Sequence, residues 1–265
     1  MARQFVSIPA TVPPLARAVD HRRHLPLGAG FGWLAAGWRD LWTHPGPSLV
    51  YGFGVAALSA LVVCSMVWLG WDQVLFPALA GFLVVGPVLA TGLYEKSRCI
   101  AAGEPVSLGD MFSPHRGAGP HLFYVGAVLM GLMLLWMRTA VLLYALFFGW
   151  RPFPGFDHLM QMLFTTPLGL SMLVTGTLVG GLFAAFAFAI SAFSIPMLLD
   201  QKLDAFSAMG ISMSLVWNNL PALLVWGVIV LVLTLLSLAT GLLGLIIIFP
   251  LLGHATWHAY AAVRA

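Results

Sequence analysis

Long apolar stretches broken by short polar clusters dominate the chain. No Asp, Glu, Lys or Arg occurs from Leu41 to Trp71, from Gln73 to Tyr94, from His158 to Leu199 or from Ala205 to Val263, and His121 to Trp150 holds a single one, Arg138. A helix needs about 20 mostly apolar residues to cross a bilayer. The stretches therefore predict six spans, over Ser48–Trp71, Val74–Tyr94, His121–Gly149, Pro167–Leu199, Pro221–Thr240 and Gly244–Val263. The turn at Thr240-Gly241 divides the last two, and Pro47, Pro167 and Pro221 stand near helix starts, where a missing N–H matters little. Continuous apolar runs exclude a membrane β-barrel, whose strands alternate between lipid and lumen. The expected fold class is all-α, a polytopic membrane protein.

The apolar pattern also repeats. With a shift of 175 residues, Phe31, Leu34, Trp38, Leu41 and Trp42 recur as Phe206, Met209, Met213, Val216 and Trp217, and Gly52 recurs as Gly227. The spacing is that of an amphipathic helix. Residues 31–52 thus resemble 206–227, each copy a cytoplasmic interfacial helix leading into a transmembrane hairpin. Pro87-Val88-Leu89, Pro196-Met197-Leu198 and Pro250-Leu251-Leu252 mark the even spans at similar depth and favour kinks there. Three parallel hairpins about an axis along the membrane normal would account for them. The division expected is a disordered tail, 1–29, rich in Pro and Arg, and one six-helix domain, 30–265.

Composition agrees with this reading. Hydrophobic residues make up 60% of the chain, charged residues 8%, and mean hydropathy is +0.96, whereas soluble domains carry about 25% charged residues. The net charge of +3 is dispersed beside the spans, which argues against nucleic acid. Arg3, Arg17, Arg22, Arg23, Arg39, Lys96, Arg98, Arg116, Lys202 and Arg264 fall on one side and only Arg151 on the other. The positive-inside rule then places both termini in the cytoplasm of a bacterial cell with the chain in the inner membrane. Residues 1–28 lack the apolar core of a signal peptide. Cys64 lies mid-span and Cys99 in a polar connection, so no disulfide is expected. Trp33, Trp38, Trp42, Trp68, Trp71, Trp150 and Trp257 read as interfacial anchors, and Phe156–Phe164 as a segment along the outer interface.

Candidate chemistry is sparse. Four and eight residues beyond the three prolines stand Thr91 and Glu95, Asp200 and Asp204, and His254 and His258. If the hairpins are pseudo-symmetric, Glu95, Asp200, Asp204, His254 and His258 could converge as a metal or proton-relay cluster. The competing reading is a set of solvated helix ends, with Lys96 and Lys202 paired to neighbouring acids. Arg138 is the one charge well inside a span. It either snorkels outward or faces a polar pathway or subunit contact, with Asp157, Asp72 or free carbonyls as partners. Gly176-x-x-x-Gly180 has the spacing that lets helices approach. No phosphate loop, His-Glu-x-x-His or Gly-x-Ser-x-Gly run is present, and Gly28-x-Gly30-x-Gly32 follows no strand, so no catalytic or cofactor-binding residue is assigned.

Several blocks carry a family resemblance. They are Gly37-Trp38-Arg39-Asp40-Leu41, Pro45-Gly46-Pro47-Ser48-Leu49, Gly81-Phe82-Leu83-Val84-Val85-Gly86-Pro87 with Gly92-Leu93-Tyr94-Glu95, Phe164-Thr165-Thr166-Pro167, Pro196-Met197-Leu198-Leu199-Asp200, and the run from Phe249 to Tyr260. Together they resemble the bacterial family of predicted integral membrane proteins catalogued as domain of unknown function 2189. The resemblance implies an inner-membrane protein without an established activity and carries over no functional residue. Such families are sometimes labelled cytochrome c oxidase subunit I. That label fits poorly, because His254 and His258 lie one turn apart on one helix face and cannot sandwich a haem iron. The function expected is a non-catalytic accessory or assembly component of a membrane complex. The alternative is a small-solute transporter or channel. The bilayer is the expected partner, together with another membrane protein or a second copy of the chain.

Overall fold

The computed structural model describes residues 21–71, 74–112, 119–149 and 155–264. All regular structure among them is helical: α1 (Ala29–Trp42), α2 (Pro45–Trp68), α3 (Leu75–Leu89), α4 (Thr91–Ala102), α5 (Leu108–Phe112), α6 (Gly119–Phe148), α7 (Phe156–Thr165), α8 (Pro167–Ser191), α9 (Ser194–Asp200), α10 (Ala205–Asn218), α11 (Leu220–Ala239) and α12 (Leu245–Arg264). Six stretches are long and apolar enough to cross a membrane: α2, α3 with α4, α6, α8 with α9, α11 and α12. Each overlaps one predicted span. The second runs on to Ala102, so Glu95, Lys96, Arg98 and Cys99 sit on helix α4 and not, as expected for Lys96, Arg98 and Cys99, in a polar connection.

Helix starts follow local chemistry. Pro167 opens α8 and the Thr166 hydroxyl accepts from the Gly169 N–H at 3.0 Å, one of the donors that a helix start leaves without a partner. The turn between α11 and α12 passes through Gly241 at φ 64° and Leu242 at φ 72°, a left-handed backbone natural to glycine and uncommon for leucine.

The second and fourth spans are interrupted. In the second, Pro87 lacks an N–H, α3 stops at Leu89, and α4 restarts at Thr91. Tyr51 of α2 donates its hydroxyl to the Leu89 carbonyl at 2.7 Å, and Thr91 donates to the Val88 carbonyl at 2.6 Å. In the fourth, Ser212 of α10 bridges the gap between α8 and α9, accepting from the Phe193 N–H at 3.2 Å and donating to the Ala189 carbonyl at 2.8 Å. Backbone groups freed at membrane depth need such partners, since lipid offers none. Pro250 sits inside an uninterrupted α12.

Beyond these breaks the C-terminal parts of the even spans meet. Helix α4 touches α9, and α12 touches both. Leu93, Phe193, Ile195, Ala255, Ala259 and Tyr260 are buried there. Each lead-in helix packs on an even span, α1 on α12, α5 on α4 and α10 on α8 and α9. At the repeated positions, Leu41 and Val216 are buried, while Phe31, Trp38, Trp42, Phe206, Met213 and Trp217 are exposed. The outward faces of α1 and α10 are thus aromatic and apolar. Gly52 and Gly227 differ: Gly52 lies against the Ile246 carbonyl and Pro250, and Gly227 faces open space.

Two tryptophans expected as interfacial anchors are core residues. Trp33 packs edge-on to Trp226 with centroids 5.7 Å apart, and Trp257 is buried beside Tyr260. Trp38, Trp42, Trp68 and Trp71 are exposed. Where the tail is described it is docked: the Arg23 N–H and guanidinium donate to Asn219 Oδ1 and the Val263 carbonyl, both at 2.8 Å. Residues 1–20, Asp72, Arg116, Trp150, Arg151 and the side chain of Asp157 lie outside the described residues.

Candidate functional site

The polar chemistry of the bundle gathers where α1, α2, α4 and α12 meet. Gly37 of α1 lies against the backbone of Ala255, a fit that leaves no room for a Cβ. This approach brings Asp40, one turn further along α1, to α12. Ser48 stands in the first turn of α2, and Lys96 and Ser97 on α4 face it. Ser48, Lys96 and His254 are fully buried and Ser97 nearly so, while Asp40 is 7% exposed.

These side chains form one continuous hydrogen-bonded chain. Lys96 Nζ donates to the His44 carbonyl at 2.9 Å and to Ser48 Oγ at 2.7 Å. Ser48 Oγ lies 2.9 Å from His254 Nε2, and His254 Nδ1 lies 2.8 Å from Ser97 Oγ. Ser97 donates to Asp40 Oδ2 at 2.7 Å, and His258 Nε2 meets the same oxygen at 2.8 Å. A serine hydroxyl has one proton to give. Ser97 gives its proton to Asp40, so His254 Nδ1 is the donor toward Ser97. His254 Nε2 then accepts from Ser48, whose own oxygen accepts from Lys96. The chain therefore runs in one direction, from ammonium to carboxylate, through the Nδ1–H tautomer of His254. Burial pushes the Asp40 carboxyl up, but hydrogen bonds from His258 and Ser97 outweigh it and hold the pKa below the ordinary 3.8.

Two smaller groups flank it. Arg98 donates from Nε and Nη2 to the two oxygens of Glu95 at 3.0 and 2.8 Å, and from Nη2 to Glu104 at 2.9 Å. Asp200 Oδ2 accepts from the Tyr260 hydroxyl at 2.7 Å and Arg264 Nη1 at 2.5 Å, which ties the end of the fourth span to the end of the sixth.

The five acid and histidine positions are therefore dispersed among separate partners. Glu95 pairs with Arg98, Asp200 with Tyr260 and Arg264, and Asp204 caps α10 by accepting from the Ser207 N–H at 2.9 Å. That bond and the Ser207 hydroxyl hold the exposed Asp204 carboxyl below its ordinary pKa. Only His254 and His258 share a network, through Ser97 and Asp40. Among the described residues no three His, Cys, Asp or Glu side chains are grouped to hold a metal ion. Lys96, expected beside an acid, instead binds a carbonyl and a hydroxyl. Arg138 is exposed on the outer face of α6, and no described residue pairs with it. Of the small-residue pair, Gly180 lies against the ring of Trp136 and Gly176 faces open space.

Asp40, Ser48 and Ser97 belong to none of the chemical patterns in the sequence. One signal existed for Asp40. It lies seven residues after Trp33 and three after Gly37, on the buried stripe of α1, where an acid needs partners.

No curated protein and no solved structure matches the chain. Residues 74–200, from the second span to the end of the fourth, match the model of a family, and they include Lys96, Ser97 and Arg138 but not Asp40, Ser48, His254 or His258. That family is described as predicted integral membrane protein, domain of unknown function 2189, the one the sequence blocks resemble, and with six apolar membrane-spanning helices the chain is an integral membrane protein.

Proposed function

We propose that the protein is a non-catalytic accessory or assembly component of a bacterial inner-membrane complex, with both ends in the cytoplasm. One observation carries this reading: the buried ionisable groups Lys96, His254 and Asp40 are held by partners within the bundle, while the single mid-span charge, Arg138, is turned away from it. A chemically active site needs groups that substrate can reach. Ser48 and Ser97 are buried and bonded on both sides, which suits a clamp that holds α1, α2, α4 and α12 together. Apart from Arg138, the described basic residues support the orientation. Arg22, Arg23, Arg39, Lys96, Arg98, Lys202 and Arg264 all lie at the end where the chain enters its first span and leaves its last. Extraction of the full chain from native membranes in mild detergent tests the reading. The expected result is a heteromeric particle of defined stoichiometry, and a monodisperse particle of this chain alone would overturn it.

A small-solute transporter or channel is the second reading. It is favoured by the two interrupted even spans, since discontinuous helices in corresponding positions accompany substrate sites in many carriers. Purified protein in liposomes, assayed for flux of protons and small solutes against an empty-liposome control, separates the two. Flux above control, lost in Lys96→Met, would favour the carrier.

A further inference from the structure

Helix α6 is oriented by what it buries. Val125, Leu129 and Trp136 face the bundle. The Trp136 indole donates to the Pro77 carbonyl of α3 at 2.9 Å and packs against Phe183 of α8 with centroids 5.8 Å apart. At about 100° per residue, a side chain two positions on points to the opposite side of the helix. Arg138 is in that position. Around it Leu134, Leu135 and Leu142 are exposed. The arginine thus stands in an apolar surface that faces lipid.

About 15 Å of helix separates Arg138 from Phe148 at the end of α6, and Leu142 and Leu146 are exposed between them. The described carboxylates, Asp40, Glu95, Glu104, Asp110, Asp200 and Asp204, sit at the other end of the bundle, on α1, α4, α5 and α9 or just beyond these helices. Charges inside membranes are held by partners of opposite sign.

We propose that this face of α6 is an interaction surface that receives a transmembrane helix of another protein, bearing an Asp or Glu at the depth of Arg138. The guanidinium and that carboxylate form a pair screened from lipid by Leu134, Leu135 and Leu142. The proposal rests on the accessory reading above and names the partner's recognition chemistry.

A photo-crosslinking amino acid placed at position 142 in the full chain, in native membranes, tests it, with position 182 on the exposed side of α8 as control. The expected product joins position 142 to a distinct membrane protein, at an apolar span containing Asp or Glu. It falls by about tenfold or more in Arg138→Leu, survives in Arg138→Lys, and returns when Arg138→Asp is combined with an arginine in place of the partner's acid. Equal thermal melting of the Arg138→Leu and parent chains in detergent excludes misfolding as the cause. Crosslinks to lipid alone, to a second copy alone, or at equal yield in Arg138→Leu would overturn the proposal. If a heteromeric particle still purifies in those cases, the accessory reading stands without it. If the parent chain purifies alone, both fall.

Discussion

At the scale of single residues, His254 depends most on its neighbours. It is fully buried at the centre of a hydrogen-bonded chain, and each ring nitrogen has one serine for a partner. Replacing Ser97 by Ala takes the serine partner from the His254 Nδ1–H and one donor from Asp40. The expected cost is about 1–3 kcal/mol, read as a lower thermal midpoint in detergent. Asp40 contributes through charge as well. Its folded pKa lies below 3.8, so its stabilisation is fully present above the unfolded value and is lost as pH falls through the folded one. The melting difference between the parent chain and Asp40→Asn should therefore stay constant from neutral pH down to about pH 4 and shrink in stronger acid. A difference that instead disappeared between pH 8 and pH 6 would assign the effect to another group.

At the scale of elements, close approach and broken helices decide the architecture. Helix α1 reaches α12 only because Gly37 has no side chain toward Ala255. Gly37→Val should displace α1, uncouple Asp40 from Ser97, and expose the region before α2 to protease, with the same substitution at Gly32, which faces open space, as the neutral control. The interruption of the fourth span depends on a hydroxyl from another helix. Ser212→Ala removes both the acceptor for Phe193 N–H and the donor to Ala189 C=O. The expected loss is again about 1–3 kcal/mol, larger than for Ser191→Ala, whose hydroxyl bonds only back to the Ala187 carbonyl of its own helix.

At the scale of the whole molecule, the C-terminal parts of the even spans form the dense centre, and the rest of the spans present apolar surface. The lead-in helices pack on α12, on α4, and on α8 with α9. The two cysteines report on this division. Cys64 is exposed on α2 and Cys99 is buried beside Glu95 and Arg98. A lipid-soluble thiol reagent should label Cys64 in intact membranes, a charged impermeant one should label neither, and Cys99 should react only after denaturation. Labelling of Cys99 in the native protein would contradict the packing of α4. Reporter fusions at the two termini should both give cytoplasmic signals if the distribution of arginine and lysine sets the orientation.

The six spans, their proline-marked starts and the turn at Gly241 were legible in the sequence because each rests on local physics. Hydrocarbon accepts only long apolar helices, proline lacks a donor, and glycine tolerates a left-handed turn. The existence of α1 and α10 was legible for the same reason, through the periodicity of Phe31 to Trp42 and its copy. Which polar residues meet was not. Glu95, Asp200, Asp204, His254 and His258 share a position relative to three prolines, yet Arg98, Arg264, Ser207, Ser97 and Asp40 each claim one of them. Those partners come from elements as much as 218 residues apart, and only packing brings them together. Tertiary structure also decided that Lys96 is inside the bundle and Arg138 outside it, because the rotation of a helix about its axis depends on what its neighbours bury and not on its own apolar content.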